Sequence, residues 1–273
     1  MKFIIFFLTF YLIFLGRFCY SQENASSEEY TISTDRPSAS FASSVVPKGI
    51  LIGEFGYFNQ TNNFDNSIKV IDQTLPNFTF RYGVNERFEL RLGTDYYLNT
   101  LKSSIGSFNT SGLNPVQVGL KLHVQEEKGF IPQTTFLGSI QLAEIASKTL
   151  GLDRNQAYFR LMFQNTISDK FFILYNLGMN FNNYDNQFVY TFLLGFVPMN
   201  NLTIFLESFG NKNSELNGMD NYAHLGAVYV IKNRYQLDAT LGYLYTQNQQ
   251  MTNLKSSIFL QLGFSTYLRF CKK

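Results

Sequence analysis

The stretch 87–97 alternates without a break. Phe88, Leu90, Leu92, Thr94 and Tyr96 take one parity, and Arg87, Glu89, Arg91, Gly93 and Asp95 take the other. A period of two belongs to a β-strand, whose successive side chains stand on opposite faces of the sheet. Four ionisable groups along one face cannot pack into an apolar core, and the opposite apolar face cannot be left in water. A strand with lipid on one side and a wet lumen on the other satisfies both demands.

The same split recurs along the chain. In 115–124, Val116, Val118, Leu120, Leu122 and Val124 oppose Gln117, Gly119, Lys121 and His123. In 157–166, Ala157, Phe159, Leu161 and Phe163 oppose Tyr158, Arg160, Met162 and Gln164. Runs 235–245 and 258–270 repeat it, with Asp238 and Arg269 on their polar faces. Runs 171–181 and 187–197 are apolar on both faces and do not declare which side meets lipid. Aromatic residues reach 17%, with 29 Phe and 17 Tyr, while charged residues are 15%. Yet beyond the N-terminus there is no run of about 18 apolar residues, the length a spanning helix needs. Closed strands are the remaining way to cross a bilayer.

About twelve such runs are expected, each near the roughly 9–11 residues of a tilted membrane strand. Short polar turns fall at 84–86, 125–129, 168–170, 199–201 and 232–234. Longer polar stretches fall at 59–74, 99–114, 143–155, 182–186, 211–220 and 246–253. Short and long alternate throughout, as periplasmic turns and outer loops do in outer-membrane barrels. An even strand number then leaves both termini periplasmic. Tyr57, Tyr82, Tyr96, Tyr243 and Tyr245 fall near strand ends, where amphipathic rings suit the interfaces.

The front end is a secretory signal. Lys2 precedes an apolar run from Phe3 to Leu15, and Cys19-Tyr20-Ser21 supplies a small-x-small cleavage pattern. Cleavage after Ser21 makes Gln22 the first mature residue. Bulky Phe18 and charged Arg17 stand against a lipid anchor on Cys19. Losing Lys2 and Arg17 takes Lys+Arg from 22 to 20, equal to the 20 Asp+Glu. A neutral chain without a basic stripe is not built for nucleic acid. One mature cysteine, Cys271, excludes an internal disulfide, and with 2 His no metal cluster or cofactor site is expected. The fold expected is therefore all-β: a cleaved signal peptide (1–21), a polar periplasmic leader (22–49), and an antiparallel transmembrane β-barrel of about 12 strands (50–270).

Arg81, Glu89, Arg91, Asp95, Lys121, Arg160, Glu207, Asp238 and Arg269, with Arg87, form the candidate lumen set. Such charges could make a selectivity constriction. Their mixed signs favour a salt-bridged network filling a narrow barrel, since unlike charges pair before they generate a field. Asp35-Arg36-Pro37 reads either as a plug anchor reaching into the barrel mouth or as a restrained turn. A lipase-like barrel would need a Ser–His pair oriented by an acid or amide. Neither Leu122-His123-Val124 nor Ala223-His224-Leu225 offers that context, so no catalytic residue is assigned.

Thr34-Asp35-Arg36-Pro37 followed by Val46-Pro47-Lys48-Gly49 resembles the opening of outer-membrane transporters of Bacteroidetes grouped with the "MetA-pathway of phenol degradation" family. Arg81-Tyr82-Gly83, the Glu86–Gly93 block, 115–122, Glu127-Lys128-Gly129 and 165–171 resemble its later blocks. The likeness runs over about 34–270. Ser38-Ala39-Ser40 departs from the more polar or acidic residues common there, and the terminal aromatic Phe270 is followed by three further residues. The resemblance implies passive passage of small molecules, hydrophobic or aromatic ones among them. The other reading is a structural barrel with a plugged lumen. The partners expected are outer-membrane lipid, a small solute, and the assembly machinery that inserts barrels.

Overall fold

The computed structural model describes residues 30–152, 154–182, 186–213, 219–246 and 253–270. The expected signal peptide and cleavage point, and Cys271, lie outside the described residues. The strands are β1 (Ile50–Phe64), β2 (Lys69–Asn85), β3 (Phe88–Ser103), β4 (Gly106–Leu113), β5 (Val116–Gln125), β6 (Gln133–Leu142) and β7 (Gln156–Ser168). They continue with β8 (Phe171–Phe181), β9 (Asn186–Met199), β10 (Leu202–Asn213), β11 (Asp220–Ile231), β12 (Tyr235–Thr246) and β13 (Leu254–Arg269). All pairings between strands are antiparallel, and β1 pairs with β2 on one edge and β13 on the other, closing the sheet.

Among the described residues thirteen strands occupy twelve positions around this barrel. The outer half of β3 pairs with β4, from Tyr96↔Leu113 to Ser103↔Gly106, and its inner half with β5, from Phe88↔Leu122 to Gly93↔Gln117. Between β4 and β5 stand Asn114 and Pro115. Proline has no N–H to give to a ladder, so the strand position is broken there. The free side of β4 is covered by the 143–155 connection: Ser147 N donates to Leu113 O at 2.9 Å and Thr149 Oγ1 to Ser111 O at 2.8 Å. A covered edge cannot recruit a foreign strand.

The parity read in the sequence sets the two faces. Leu90 is 46% exposed, whereas its neighbour Glu89 is fully buried. Leu90 stands opposite Leu120 and Leu92 opposite Val118. Leu206, Leu225, Leu241 and Leu260 follow one another across β10 to β13. All of these side chains are exposed, giving a continuous apolar outer band. Tyr82 and Tyr235 stand outward towards the short-turn end, and Tyr96, Tyr243 and Tyr245 towards the other.

Two of the expected outer loops are largely strand. The 59–74 stretch continues as the β1–β2 hairpin, with only residues 65–68 between the strands, and 99–114 continues as β3 and β4. Polar side chains on both faces hide the period of two beyond the membrane, but long neighbours keep the backbone paired. The wall of β1, β2, β3 and β13 is accordingly 15–17 residues tall, against 10 for β5 and β6.

The leader does not hang below the barrel. Residues 30–49 enter at the short-turn end, where Ile32 N donates to Asn233 O at 2.8 Å, rise to a turn near Ser40, and descend to Gly49. The two legs are tied together by Ser33 Oγ and Ser44 Oγ (3.1 Å) and by Ala42 N donating to Asp35 Oδ1 (2.8 Å). Ile32, Val46, Ile50 and Ile52 form a small apolar floor beneath the loop. Gly83 makes room for the descending leg, since a Cβ there would sit 2.1 Å from Pro47 O. The leader is polar because the lumen wall it binds is polar.

Candidate functional site: a charged lumen closed by the leader

Facing the leader on one side is a wall of ionisable groups from β1, β2, β3 and β5. Three cations, Arg81, Arg91 and Lys121, stand against two carboxylates, Glu54 and Glu89, and all five are buried. Arg81 donates from Nε to Glu89 Oε1 (2.7 Å), from Nη2 to Glu89 Oε2 (2.9 Å), and from Nη1 to Glu54 Oε1 (2.9 Å). Arg91 Nη1 donates to Glu89 Oε1 at 2.9 Å. The wall alone is one negative charge short.

Asp35 of the leader supplies that charge. Its carboxylate accepts from Arg91 and from Lys121 Nζ (3.1 Å), with Arg81 Nη1 at 3.7 Å. Burial alone would push the Asp35 carboxyl up. The Arg81, Lys121 and Arg91 charges outweigh it and hold the group well below the usual carboxylate range. Lys121 also donates to the leader carbonyls of Ala42 (2.9 Å) and Ser44 (3.1 Å), and Val46 N donates to Glu89 Oε2 at 2.9 Å. Desolvation takes back much of what such a network gains while intact, but removing one member strands a buried charge at a cost of about 3–5 kcal/mol.

The next residue reaches past β1 to β13 and β12. Arg36 Nη2 donates to Leu262 O at 2.9 Å and lies 3.4 Å from Asp238 Oδ1. Gly56 and Gly263 leave its guanidinium room, since a Cβ at either would fall within 2.4 Å of it. The buried Pro37 follows across a cis peptide bond. One dipeptide thus binds strands on both sides of β1, Asp35 towards β2, β3 and β5 and Arg36 towards β12 and β13.

The top of the loop rests on β8, β9 and β10. Glu207 accepts from Ala39 N (2.9 Å), Ser40 N (2.7 Å) and Ser40 Oγ (2.5 Å). Its other partner is His224, itself enclosed by Phe205, Phe209 and Phe259. Phe41 N donates to Asn176 Oδ1 at 2.7 Å, and Thr135 donates to Ser43 O. The carboxylate of Glu207 stands between the serine and the imidazole. A hydrolytic triad instead places the imidazole between serine and acid. Among the described residues no group of three or more His, Cys, Asp or Glu is arranged to hold a metal ion.

Of the candidate residues, Arg81, Glu89, Arg91, Lys121, Glu207 and Asp238 converge on the leader through Asp35, Arg36, Ser40 and Val46. Asp95 stands apart, accepting from Asn114 Nδ2 (2.7 Å) beside a cavity of about 300 Å³ at the β4–β5 break. Arg160 is held by Asn180 Oδ1 (2.6 Å) and two carbonyls, with no carboxylate within ion-pair distance among the described residues. Arg269 and Arg87 are exposed, Arg269 at the end of β13 and Arg87 in the β2–β3 turn. Glu54 was missed because Ile50 and Ile52, of the same parity, made that face look apolar. The serines of the leader carried no sequence signal at all.

Fold and site together define a transmembrane β-barrel whose lumen is occupied by its own N-terminal segment. The chain belongs to the family described as "Putative MetA-pathway of phenol degradation", which matches residues 34–269. The structure is similar to the COG4313 outer membrane channel from Pseudomonas putida F1, with a TM-score of 0.63 at 12% identity, over 82% of this chain and 97% of that one. It is also similar to the translocator domain of the autotransporter NalP from Neisseria meningitidis, with a TM-score of 0.53 at 11% identity, over 82% and 90% of the two chains. At such identities the likeness is one of fold. No curated protein matches the sequence.

Proposed function

We propose that this protein is a non-enzymatic outer-membrane channel for passive passage of small molecules, hydrophobic or aromatic ones among them. The observation that carries the reading is the incomplete filling of the lumen. The leader leaves a cavity of about 310 Å³ beside it, and a second of about 300 Å³ lies away from it at the β4–β5 break, each at the lower end of the roughly 300–1,000 Å³ typical of small-molecule sites. The family and the outer-membrane channel named above agree with it. Both termini are periplasmic, the mature chain starts at Gln22, and the source is a member of the Bacteroidetes. Lipid and the barrel-assembly machinery are the remaining partners.

The second reading, a structural barrel that transports nothing, is favoured by the ion pairs that Asp35 and Arg36 make with the wall. Proteoliposome swelling in arabinose separates the two. The channel reading expects faster swelling than in protein-free vesicles, and equal rates would leave only the structural barrel.

A further inference from the structure

The two walls around the leader are not alike. All of Asp35's ion pairs go to the β2, β3 and β5 wall, and Phe41, the leader's aromatic ring, stacks on Tyr158 under the Arg91 guanidinium on that side. Towards the short-turn end of β8–β11, away from Asn176, Thr191 and Glu207, the inner face carries Phe172, Leu174, Leu193, Phe205, Val228 and Val230 beside Thr203, and the leader leaves a cavity of about 310 Å³ against them. This wall explains why 171–181 and 187–197 read as apolar on both faces. Phe172 lies over Gly195 and Phe205 over Gly226, where a Cβ would come within 2.2 Å of either ring. Neighbouring glycines therefore give both rings space to lie against the wall.

We propose that this cavity is a binding subsite for a small neutral solute made of one apolar ring with one or two hydrogen-bonding groups. An apolar cavity of about 150 Å³ already admits benzene, so a substituted ring fits here with room to pass. The leader offers Thr34 and Ser38, and β12 offers Gln236, to a hydroxyl or carbonyl, while β8–β11 offer mainly hydrocarbon beside Thr203. Charge is not wanted. Arg36 is the one ionisable residue of the lining, and it is already bound to Leu262 O and Asp238. The inference rests on the channel reading and gives it a route, between the leader and the β8–β11 wall.

The chain has 0 Trp, so Phe172→Trp in the full-length protein makes a unique fluorophore in the cavity wall. Titration with 4-nitrobenzyl alcohol, a neutral quenching ring, should quench it saturably, whereas 4-nitrobenzoate should quench only collisionally. Adding Val228→Phe, which fills the cavity, should weaken binding by about tenfold or more, the scale of steric discrimination in an apolar pocket. If Phe172→Trp loses its heat-modifiable folded band, Phe205→Trp reports on the same space. Unsaturating quenching that Val228→Phe leaves unchanged would overturn the subsite, and saturable quenching by 4-nitrobenzoate would overturn its preference for neutral solutes. Saturable binding without arabinose flux would leave the subsite and remove the channel. Flux without saturable binding would do the reverse.

Discussion

Asp35→Asn should open the lumen without unfolding the barrel. The substitution keeps the shape of the side chain and an oxygen for Ala42 N, but leaves Arg81, Arg91 and Lys121 facing only Glu54 and Glu89. Stranding that charge costs about 3–5 kcal/mol, and the protein escapes the cost by releasing the leader and letting water into the lumen. The barrel ladder has no part in Asp35, so the folded band on electrophoresis should persist. The expected readout is a higher single-channel conductance together with chymotryptic cleavage of the leader after Phe41. The sign of the pH dependence follows from the lowered carboxyl. Its contribution is fully present above the ordinary carboxylate value of about 3.9 and is lost only as pH falls through the lower folded value. The parent should therefore stay at low conductance from neutral to mildly acid pH, while the variant conducts throughout. Unchanged conductance with the leader still protected would show that the ion pairs do not hold it.

The second large effect separates two adjacent residues. Leu90→Arg puts a charge on the lipid face and should cost about 2–4 kcal/mol if the site lies near the midplane, lowering folded yield in outer-membrane fractions. Glu89→Arg acts inside. Read from alternation alone, Glu89 points to water, and a reversed charge there should be harmless. The structure instead buries it fully, accepting from Arg81, Arg91 and Val46 N. A fourth cation in that dry cluster cannot stay, so the leader is expelled, the lumen hydrates, and the barrel still closes. Folded yield near the parent's, raised conductance and a reversal potential shifted towards anions are expected. Equal folding defects in both variants would refute the register.

The contrast at Glu89 marks where sequence reasoning stops. Strand parity is local: Leu90, Glu89 and Arg91 declare their faces within a few residues, and the short turns declare an end. What fills the lumen is not local. Asp35 meets Lys121 86 residues away and Arg36 meets Asp238 202 residues away, and no periodicity connects them. A serine-rich segment such as 38–44 has the same composition whether it is solvated below a barrel or hydrogen-bonded within one. The Pro115 break was likewise hidden, because a strand interrupted for two residues resembles a loop followed by a strand. The doubly apolar runs were ambiguous for a physical reason: their inner faces carry the apolar residues Phe172, Leu174 and Leu193 that line a cavity.

The central claim, that the leader itself sets the conductance, can be tested by tethering it. Ser40 and Thr191 hydroxyls are 2.5 Å apart, close enough for a disulfide between cysteines placed there. The measurement is planar-bilayer conductance of Ser40→Cys/Thr191→Cys in an Asp35→Asn, Cys271→Ser background, before and after reductant. The account predicts parent-like low conductance when oxidised and a rise on reduction. Conductance that is high in both states, or low in both, would contradict it.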